Sequence, residues 1–108
     1  MLLSFTPVEV FIVSKVPKGT IRGSHAHLNC SQLLILRFGS IRLNLEDQNG
    51  IRNIVLDTPG AYHLINPLTW SSQEFLDEKT EIIVFCSERY SEKDYIRDYS
   101  TFVKLIKS

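Results

Sequence analysis

Residues 32–56, QLLILRFGSIRLNLEDQNGIRNIVL, decide the fold, because they hold three strand-like runs separated by two turn signals. The first run, 32–38, is apolar at nearly every position, as is typical of a central strand buried on both faces. The second run, 41–46, alternates between aliphatic and polar residues, and this period of two indicates a half-buried strand. The Gly-Ser pair at 39–40 predicts a tight turn, and Asn-Gly at 49–50 predicts a type I′ hairpin turn.

The period of two continues on both sides of this stretch. Strands spaced about ten residues apart, with turn signals between them, are typical of an antiparallel barrel or jelly roll. We therefore predict a single all-β domain over 1–108, with the barrel at about 8–88 and a short helical tail at about 91–106. The remaining predicted strands are 8–12, 51–56, 61–66 and 81–86.

The pattern changes to a helical one in the tail. Ser91 and Asp94 resemble a capping box with Asp in place of Glu, and Tyr95 and Tyr99 follow at i, i+4 spacing. Asp94 and Arg97 would then form a pair on the helix surface or at an interface. The three tyrosines from residue 90 onward are predicted mainly to pack the tail against the barrel.

The 108-residue chain carries twelve Lys and Arg against twelve Asp and Glu, which argues against a dedicated nucleic-acid-binding domain. The charge is unevenly distributed along the chain, however. Residues 1–45 carry five basic groups and one acidic group, so an anionic ligand would be drawn to this half. Cys30 and Cys86 form no CxxC motif and are predicted to be buried thiols. Without an 18-residue apolar run or a signal-peptide pattern, the chain is predicted to be cytoplasmic.

The pattern His25-Ala-His27 is the strongest chemical signal. On a strand, residues i and i+2 face the same side, so both imidazoles would project into one space. Gly19, the two histidines, Gln32 and Gly39 follow the spacing of the first cupin motif, with Gln32 where many cupins carry Glu. This spacing resembles that of the cupins, and it implies a cupin jelly roll.

A metal site is not predicted. Metal-binding cupins add a Glu and a third histidine to the pair, but Gln32 is uncharged and no histidine follows Trp70. His63 precedes Pro67, and it is as consistent with a core or loop-edge position as with a ligand. Two neutral imidazoles make a weak metal site, so we predict no cofactor and interpret His25 and His27 as acid/base groups.

Several segments together resemble the sugar-nucleotide 3,4-ketoisomerases, which are WxcM-like cupins. This resemblance runs from about Val8 to Ile106. It implies a metal-free isomerisation that moves a keto group between C4 and C3 of a dTDP-linked 6-deoxyhexose, for the deoxyamino sugars of surface polysaccharide. The matching segments are Arg22-Gly-Ser-His-Ala-His27, Gln32, Gly39-Ser40, Pro67-Leu-Thr-Trp70 and the ending from Tyr90 to Phe102.

The resemblance also implies roles for individual residues. His25 and His27 match the catalytic pair, although which one is the base stays open. Arg22 would hold the pyrophosphate or polarise a sugar oxygen, with a surface ion pair as the alternative. Gln32 would donate to the substrate, or it is a buried amide satisfied by the neighbouring strand. Trp70 would cover the pocket or stack on the base, and a core position is its alternative.

The chain departs from the family pattern in two places. Phe11 and Ile12 lie on a strand where relatives often present tyrosines, and Ser71 stands where a histidine often follows the tryptophan. Relatives also usually begin with an extra strand, which we expect this chain to lack. The alternative functions are a non-catalytic cupin that binds a sugar nucleotide and, with less support, a 3,5-epimerase or a metal-dependent cupin.

The predicted partners are a dTDP-linked keto sugar and a second copy of the chain, with neither nucleic acid nor membrane. A chain of this length buries a thin core and would gain from a partner subunit. Family members are dimeric, and Leu2, Leu3 and Phe5 would form an apolar arm that a monomer leaves exposed.

Overall fold

The computed structural model describes residues 5–107, which form two antiparallel sheets and one C-terminal helix. The strands are β1 (Glu9–Val13), β2 (Ile21–His27), β3 (Gln32–Phe38), β4 (Ile41–Asp47), β5 (Gly50–Leu56), β6 (Tyr62–Ile65), β7 (Trp70–Phe75), β8 (Glu81–Cys86) and β9 (Tyr95–Ile96). One sheet has the order β1-β8-β3-β6, and the other has the order β5-β4-β7-β2-β9. This two-sheet jelly roll with a helical tail confirms the predicted fold class.

Most strands lie where the alternation of residues predicts them. The predicted bounds of β3 and β8 agree with the structure, and those of β4 and β5 agree within one residue. The alternation does not predict β7. The register places Ser71 opposite Leu45 and Gln73 opposite Leu43, so the inward positions of β7 include polar residues. A strand with polar inward residues lacks the period-two signal.

The β4–β5 turn differs from the predicted one. Asp47 pairs with Gly50, so Gln48 and Asn49 form the turn. Gly50 has a φ of 121°, and no other residue in this described turn has a positive φ. The side chain of Asp47 accepts a hydrogen bond from the backbone N–H of Asn49 at 2.8 Å. The hairpin predicted at Asp47–Gly50 is therefore confirmed, but its type I′ conformation is wrong, because neither central residue, Gln48 or Asn49, has a positive φ.

The tail begins with extended rather than helical structure. Glu92–Asp94 form one 3₁₀ turn, Tyr95 and Ile96 form β9, and helix α1 spans Tyr99–Lys107. Tyr95 pairs with His27 of β2, which holds it in a sheet. The predicted helical i, i+4 relation between Tyr95 and Tyr99 is therefore wrong.

The cap of α1 is a different residue from the predicted one. Ser91 makes no side-chain cap hydrogen bond, whereas the carboxylate of Asp98 accepts the backbone N–H of Thr101 at 3.0 Å. The predicted Asp94–Arg97 helix pair is also wrong, because the Asp94 side chain bonds to His27 across the sheet and Arg97 pairs with Glu92.

Two apolar clusters hold these elements together. The main core lies between the two sheets, where each sheet turns alternate aliphatic residues inward. A second cluster lies on the outer face of the five-stranded sheet and is covered by α1, whose Phe102 is fully buried against Ala26 and Ile96. The largest fully buried residues of the main core are Phe75, Leu34, Leu36, Ile41, Leu43, Leu45 and Ile82.

The predicted apolar N-terminal arm is only partly within the described residues. Leu2 and Leu3 lie outside them, and Phe5 is half-buried. In the part of the chain that the structure describes, no helix is long and apolar enough to cross a membrane.

We predict that Gly39→Ala destabilises the protein more than Gly60→Ala. Both glycines have positive φ, +79° and +92°, so alanine is strained at either position. At Gly39 a Cβ would also lie 2.6 Å from the backbone Cα of Thr80, whereas at Gly60 nothing lies within 4 Å. Urea unfolding should show a loss of about 1–2 kcal/mol for Gly60→Ala and at least about 1–3 kcal/mol more for Gly39→Ala. Equal losses would contradict the clash.

Candidate active site

A cavity of about 330 Å³ opens between the two sheets. Its apolar side includes Leu34, Ile82 and Val84, which continue into the main core. Its polar side brings together residues from four strands, β2, β3, β7 and β9, and from the segment just after β9. These polar residues are Arg22, His25, Gln32, Gln73, Tyr95 and Arg97.

An irregularity in β2 places Arg22 and His25 on the same side. Arg22 pairs with Gln73 of β7 and His25 pairs with Ser71, so β2 has one more residue than β7 over this interval. Such a bulge reverses the alternation, and residues three apart then face the same way. Gly23 lies in the bulge with a φ of 71°. Strict alternation would have placed Arg22 and His25 on opposite faces.

His25 is the histidine that borders the cavity. Burial, together with the neighbouring His27 and Arg97, lowers the pKa of His25 from 6.5 to about 4. The imidazole is therefore neutral at neutral pH and has a free lone pair on one ring nitrogen. A neutral imidazole facing a cavity can accept a proton from a bound molecule.

His27 lies behind His25 rather than beside it in the cavity. The two rings meet edge to face, with centroids 5.0 Å apart and planes at 86°. Nδ1 of His27 lies 3.0 Å from an oxygen of Asp94, and the His27 side chain is 7% exposed. Burial lowers the pKa of His27 despite the opposing effect of Asp94, so this ring is also neutral. The two histidines thus have different surroundings, which sequence spacing alone does not distinguish.

Tyr95 and Arg97 are site residues that the sequence interpretation assigned to packing and to a helix surface. The Tyr95 ring lies 4.9 Å from the His25 ring and 4.3 Å from the His27 ring, measured between centroids. The guanidinium of Arg97 lies 4.3 Å from the Tyr95 centroid. Both lie in the run Tyr95-Ile-Arg97, and the extended β9 conformation of this run places them beside the histidines.

Glu92 holds Arg97 at the mouth of the cavity. Two guanidinium nitrogens of Arg97 donate to the two carboxylate oxygens of Glu92 at 2.7 and 3.0 Å. The Tyr90 hydroxyl donates to one of these oxygens at 2.8 Å. These hydrogen bonds, led by those from Arg97, lower the pKa of Glu92 to about 2. Both groups are exposed, so the pair is open to exchange with a charged ligand.

Gln32 and Gln73 supply two amides from opposite sheets. Gln32 is buried, and its Nε2 donates to Sγ of Cys86 at 3.6 Å. Burial raises the pKa of Cys86 to about 11, so this sulfur stays an uncharged thiol. A Cβ on Gly23 would lie 3.0 Å from the Gln73 side chain, so the missing side chain at position 23 leaves room for that amide.

The structure does not bring Trp70 or His63 to this cavity. Trp70 lies on the outer face of the five-stranded sheet, with its ring 5.4 Å from Tyr99 and 5.6 Å from Phe102. This position corresponds to the core alternative for Trp70. His63 lies on β6 opposite Leu34 and is half-buried, and burial lowers its pKa.

One group of described side chains has the ligand types of a metal site. Ligand atoms of His27, Cys30 and Asp94 lie within 4.8 Å of one another. The Asp94 carboxylate, however, already accepts hydrogen bonds from His27 and from the backbone N–H groups of Asn29 and Cys30. The carboxylate and Nδ1 of His27 are therefore already paired, and the Cys30 thiol donates to the backbone carbonyl of Ser31 at 3.4 Å, so the geometry favours a hydrogen-bonded cluster.

Comparison with known proteins gives matches over almost the whole chain. A curated relative, the TDP-4-oxo-6-deoxy-alpha-D-glucose-3,4-oxoisomerase of Aneurinibacillus thermoaerophilus, is 38% identical over 104 residues, which cover 96% of this chain and 75% of the relative. The crystal structure of the sugar 3,4-ketoisomerase QdtA from Thermoanaerobacterium thermosaccharolyticum with TDP has a TM-score of 0.92 at 32% identity, covering 97% of this chain and 77% of that one.

A histidine-to-asparagine mutant of QdtA, in complex with TDP-4-keto-6-deoxyglucose, also matches with a TM-score of 0.92 at 31% identity, covering 97% of this chain and 76% of that one. The fold and the histidine-bearing cavity define a cupin-like enzyme that acts on sugar nucleotides. The model of the "FdtA: WxcM-like, C-terminal" family matches residues 2–107. The chain therefore belongs to the WxcM-like family of sugar-nucleotide 3,4-ketoisomerases.

We predict that acid destabilises this protein partly through His25. All three histidines have a lowered pKa in the folded state, whereas unfolded histidine titrates near 6.5. Between 6.5 and about 4 the unfolded state therefore binds more protons, so the free energy of unfolding decreases as the pH falls through this window. Urea unfolding should show a smaller loss between pH ~7 and ~5 for His25→Asn than for the wild type. An identical loss would contradict the lowered pKa of His25.

Proposed function

We propose that this protein isomerises a TDP-linked 4-keto-6-deoxyhexose to its 3-keto isomer, with His25 as the base. The observation that supports this function best is a neutral histidine at the wall of a cavity whose only charged bordering groups, among the described residues, are arginines. The family match and the TDP complexes of related ketoisomerases support the same substrate class.

The charge of the cavity suits a nucleoside diphosphate. Arg22 and Arg97 border it, and no carboxylate does so among the described residues. Guanidinium groups bind phosphate oxygens in a bidentate manner, and two of them would balance much of the charge of a pyrophosphate. Arg97 would exchange its exposed contact with Glu92 for the pyrophosphate. Arg22 comes from β2, next to the base, which would set the distance between the diphosphate and the reacting sugar.

The reaction is a tautomerisation through an enediol. The C3–H proton is acidified by the neighbouring C4 ketone, and His25 accepts it while the C4 oxygen gains a proton. The C3 hydroxyl then loses its proton as C4 is protonated, so the ketone moves to C3 and no atoms or electrons are gained or lost. One neutral base and nearby hydrogen-bond donors are sufficient for both halves.

The donors would come from the polar wall of the cavity. Gln32 and Gln73 present amides, and Tyr95 presents a phenol whose pKa is raised, mainly by burial. A phenol with a raised pKa stays protonated, so it can donate to the enediolate oxygen. Tyr95 therefore supplies a phenol in a chain whose β1 has Phe11 and Ile12 where relatives often carry tyrosines.

The wider role follows from the chemistry of the product. A 3-keto sugar is the electrophile that transamination at C3 requires, so we place the reaction in the synthesis of deoxyamino sugars for surface polysaccharide. We further propose that catalysis needs no metal, because the base and the donors are protein groups. The two free thiols, Cys30 and Cys86, are consistent with a reducing compartment such as the cytoplasm.

Incubation with TDP-4-keto-6-deoxyglucose, followed by NMR of the sugar carbons, tests the proposed function. The ketone signal should move from C4 to C3, and treatment with a chelator should leave the rate unchanged. Inversion at C3 and C5 with the ketone still at C4 would indicate a 3,5-epimerase. TDP binding without any conversion by folded protein would indicate the non-catalytic alternative.

We expect His25→Asn to reduce kcat by at least about a hundredfold, because it removes the general base. Affinity for TDP should change by less than about threefold, since the nucleotide does not need the base. The matched control is His63→Asn, the same change at a histidine that does not border the cavity, and it should retain activity. Comparable loss in both variants would contradict the assignment of the base.

We also propose that the protein is a homodimer that pairs through the outer face of the four-stranded sheet. Val10 and Ile12 of β1 point outward and are 54% and 56% exposed. They lie opposite Phe85 and Ile83 of β8, so the exposed surface is a continuous apolar patch. A helix covers the corresponding face of the other sheet, whereas this one has no such cover among the described elements. Apolar patches of this kind mark interfaces between subunits.

Replacing both Val10 and Ile12 by Lys should convert the dimer to a monomer, because four buried charges in a two-fold interface would be unpaired. Light scattering should show that the mass falls by about half. Ile51→Lys, which changes a 74% exposed residue on β5 of the other sheet, is the control and should leave the mass unchanged. A wild-type protein that is already monomeric would refute the proposed interface.

A further inference from the structure

Asp94 is the most heavily engaged carboxylate near the cavity. One of its oxygens accepts the backbone N–H of Asn29 at 2.8 Å. The other lies 3.0 Å from Nδ1 of His27 and accepts the backbone N–H of Cys30 at 3.2 Å. Its side chain is only 11% exposed. Three donors from the strand and loop of 27–30 thus converge on one acid from the tail.

These contacts keep Asp94 ionised. Burial alone would raise its pKa, but the hydrogen bonds from Asn29, His27 and Cys30 outweigh it, so the pKa is lowered. An ionised carboxylate has only acceptor sites. The hydrogen bond between Asp94 and His27 therefore requires that Nδ1 of His27 bears the proton.

The other nitrogen of His27 is consequently unprotonated. The ring is neutral, so when Nδ1 bears its proton, Nε2 is left with a lone pair. Nε2 is fully buried and has no hydrogen-bond partner among the described residues. The ring is clamped between neighbours, with the centroid of Tyr95 at 4.3 Å and that of His25 at 5.0 Å.

We propose that Asp94 is a positioning residue that holds His27 as the Nδ1–H tautomer and fixes Tyr95 and Arg97 at the cavity. This proposal rests on the proposed function. A carboxylate behind a histidine sets both its tautomer and its ring orientation. Here the oriented ring packs against the base, His25. The same carboxylate anchors the turn from which the chain leads directly into Tyr95 and Arg97.

The tautomer of His27 and the position of the turn can be tested separately, because a second contact holds the turn. The backbone N–H of Leu28 donates to the backbone carbonyl of Asp94 at 2.8 Å, so the turn has an anchor that does not use the side chain. Asp94→Asn keeps this anchor and the side-chain shape. It replaces one acceptor oxygen by a donor group, which conflicts either with the backbone N–H groups or with the proton on Nδ1.

The first test needs no variant and no substrate. NMR with ¹⁵N-labelled histidine on the ligand-free wild-type protein near neutral pH should show His27 with a protonated Nδ1 and an unprotonated Nε2. A protonated Nε2 in the dominant form, a charged ring, or a bound metal on these nitrogens would overturn the proposal. Absence of turnover would refute the proposed function without changing this spectrum, so the two failures are distinguishable.

The second test compares Asp94→Asn with Asp47→Asn. Asp47 is a matched control, because its partly exposed carboxylate also accepts a backbone N–H and pairs with an arginine, at a hairpin away from the cavity. Asp94→Asn should increase the Nε2–H form of His27 and reduce kcat by about tenfold to a hundredfold, with a smaller effect on KM. Asp47→Asn should change neither. An unchanged tautomer and kcat in folded Asp94→Asn would overturn the proposal.

Discussion

The hydrogen-bonded cluster around the Asp94 carboxylate joins parts of the chain that are far apart in sequence. His27, Asn29 and Cys30 come from the end of β2 and the loop that follows it, and Asp94 comes from the tail. A buried carboxylate without donors would be costly, so the chain can place it there only when all three donors are present. With the carboxylate in this position, β9 pairs with β2, and α1 follows β9 and covers the second apolar cluster. The cavity, its aromatic wall and the docking of the helix all depend on this junction.

The cavity exists because several inward positions are not apolar. A jelly roll of this size would normally fill the space between its sheets with aliphatic side chains. Here Arg22, Gln32 and Gln73 point into that space together with His25. Each reduces the buried apolar area, and the loss is partly offset by the second cluster beneath α1, where Phe102 is fully buried. The two faces of the five-stranded sheet therefore differ: one presents polar residues to the cavity, and the other buries apolar residues beneath α1.

Burial and charge act together on the two histidines. Desolvation favours neutral imidazoles, and the neighbouring arginine strengthens this preference at His25. At His27 the Asp94 carboxylate opposes desolvation without reversing it. Two residues that look equivalent in the sequence are therefore distinguished by their partners: His25 faces the cavity as a neutral imidazole, and His27 is held in the wall by Asp94. Tyr95 contacts both imidazole rings, and the two rings also contact each other.

The sequence by itself determined the fold class, most strand positions and the family. Strand positions follow from local alternation, and the family from motifs with fixed spacing. The sequence also singled out His25, Arg22 and Gln32, which border the cavity, because all three lie in or close to the motif around His25-Ala-His27. Only the tertiary structure decided the bulge at Gly23, the extended tail that brings Tyr95 and Arg97 to the cavity, and the outward position of Trp70. These features depend on pairing between residues about 45 to 70 positions apart, such as Ser71 with His25 or Asp94 with His27, and local propensity contains no information about such pairing.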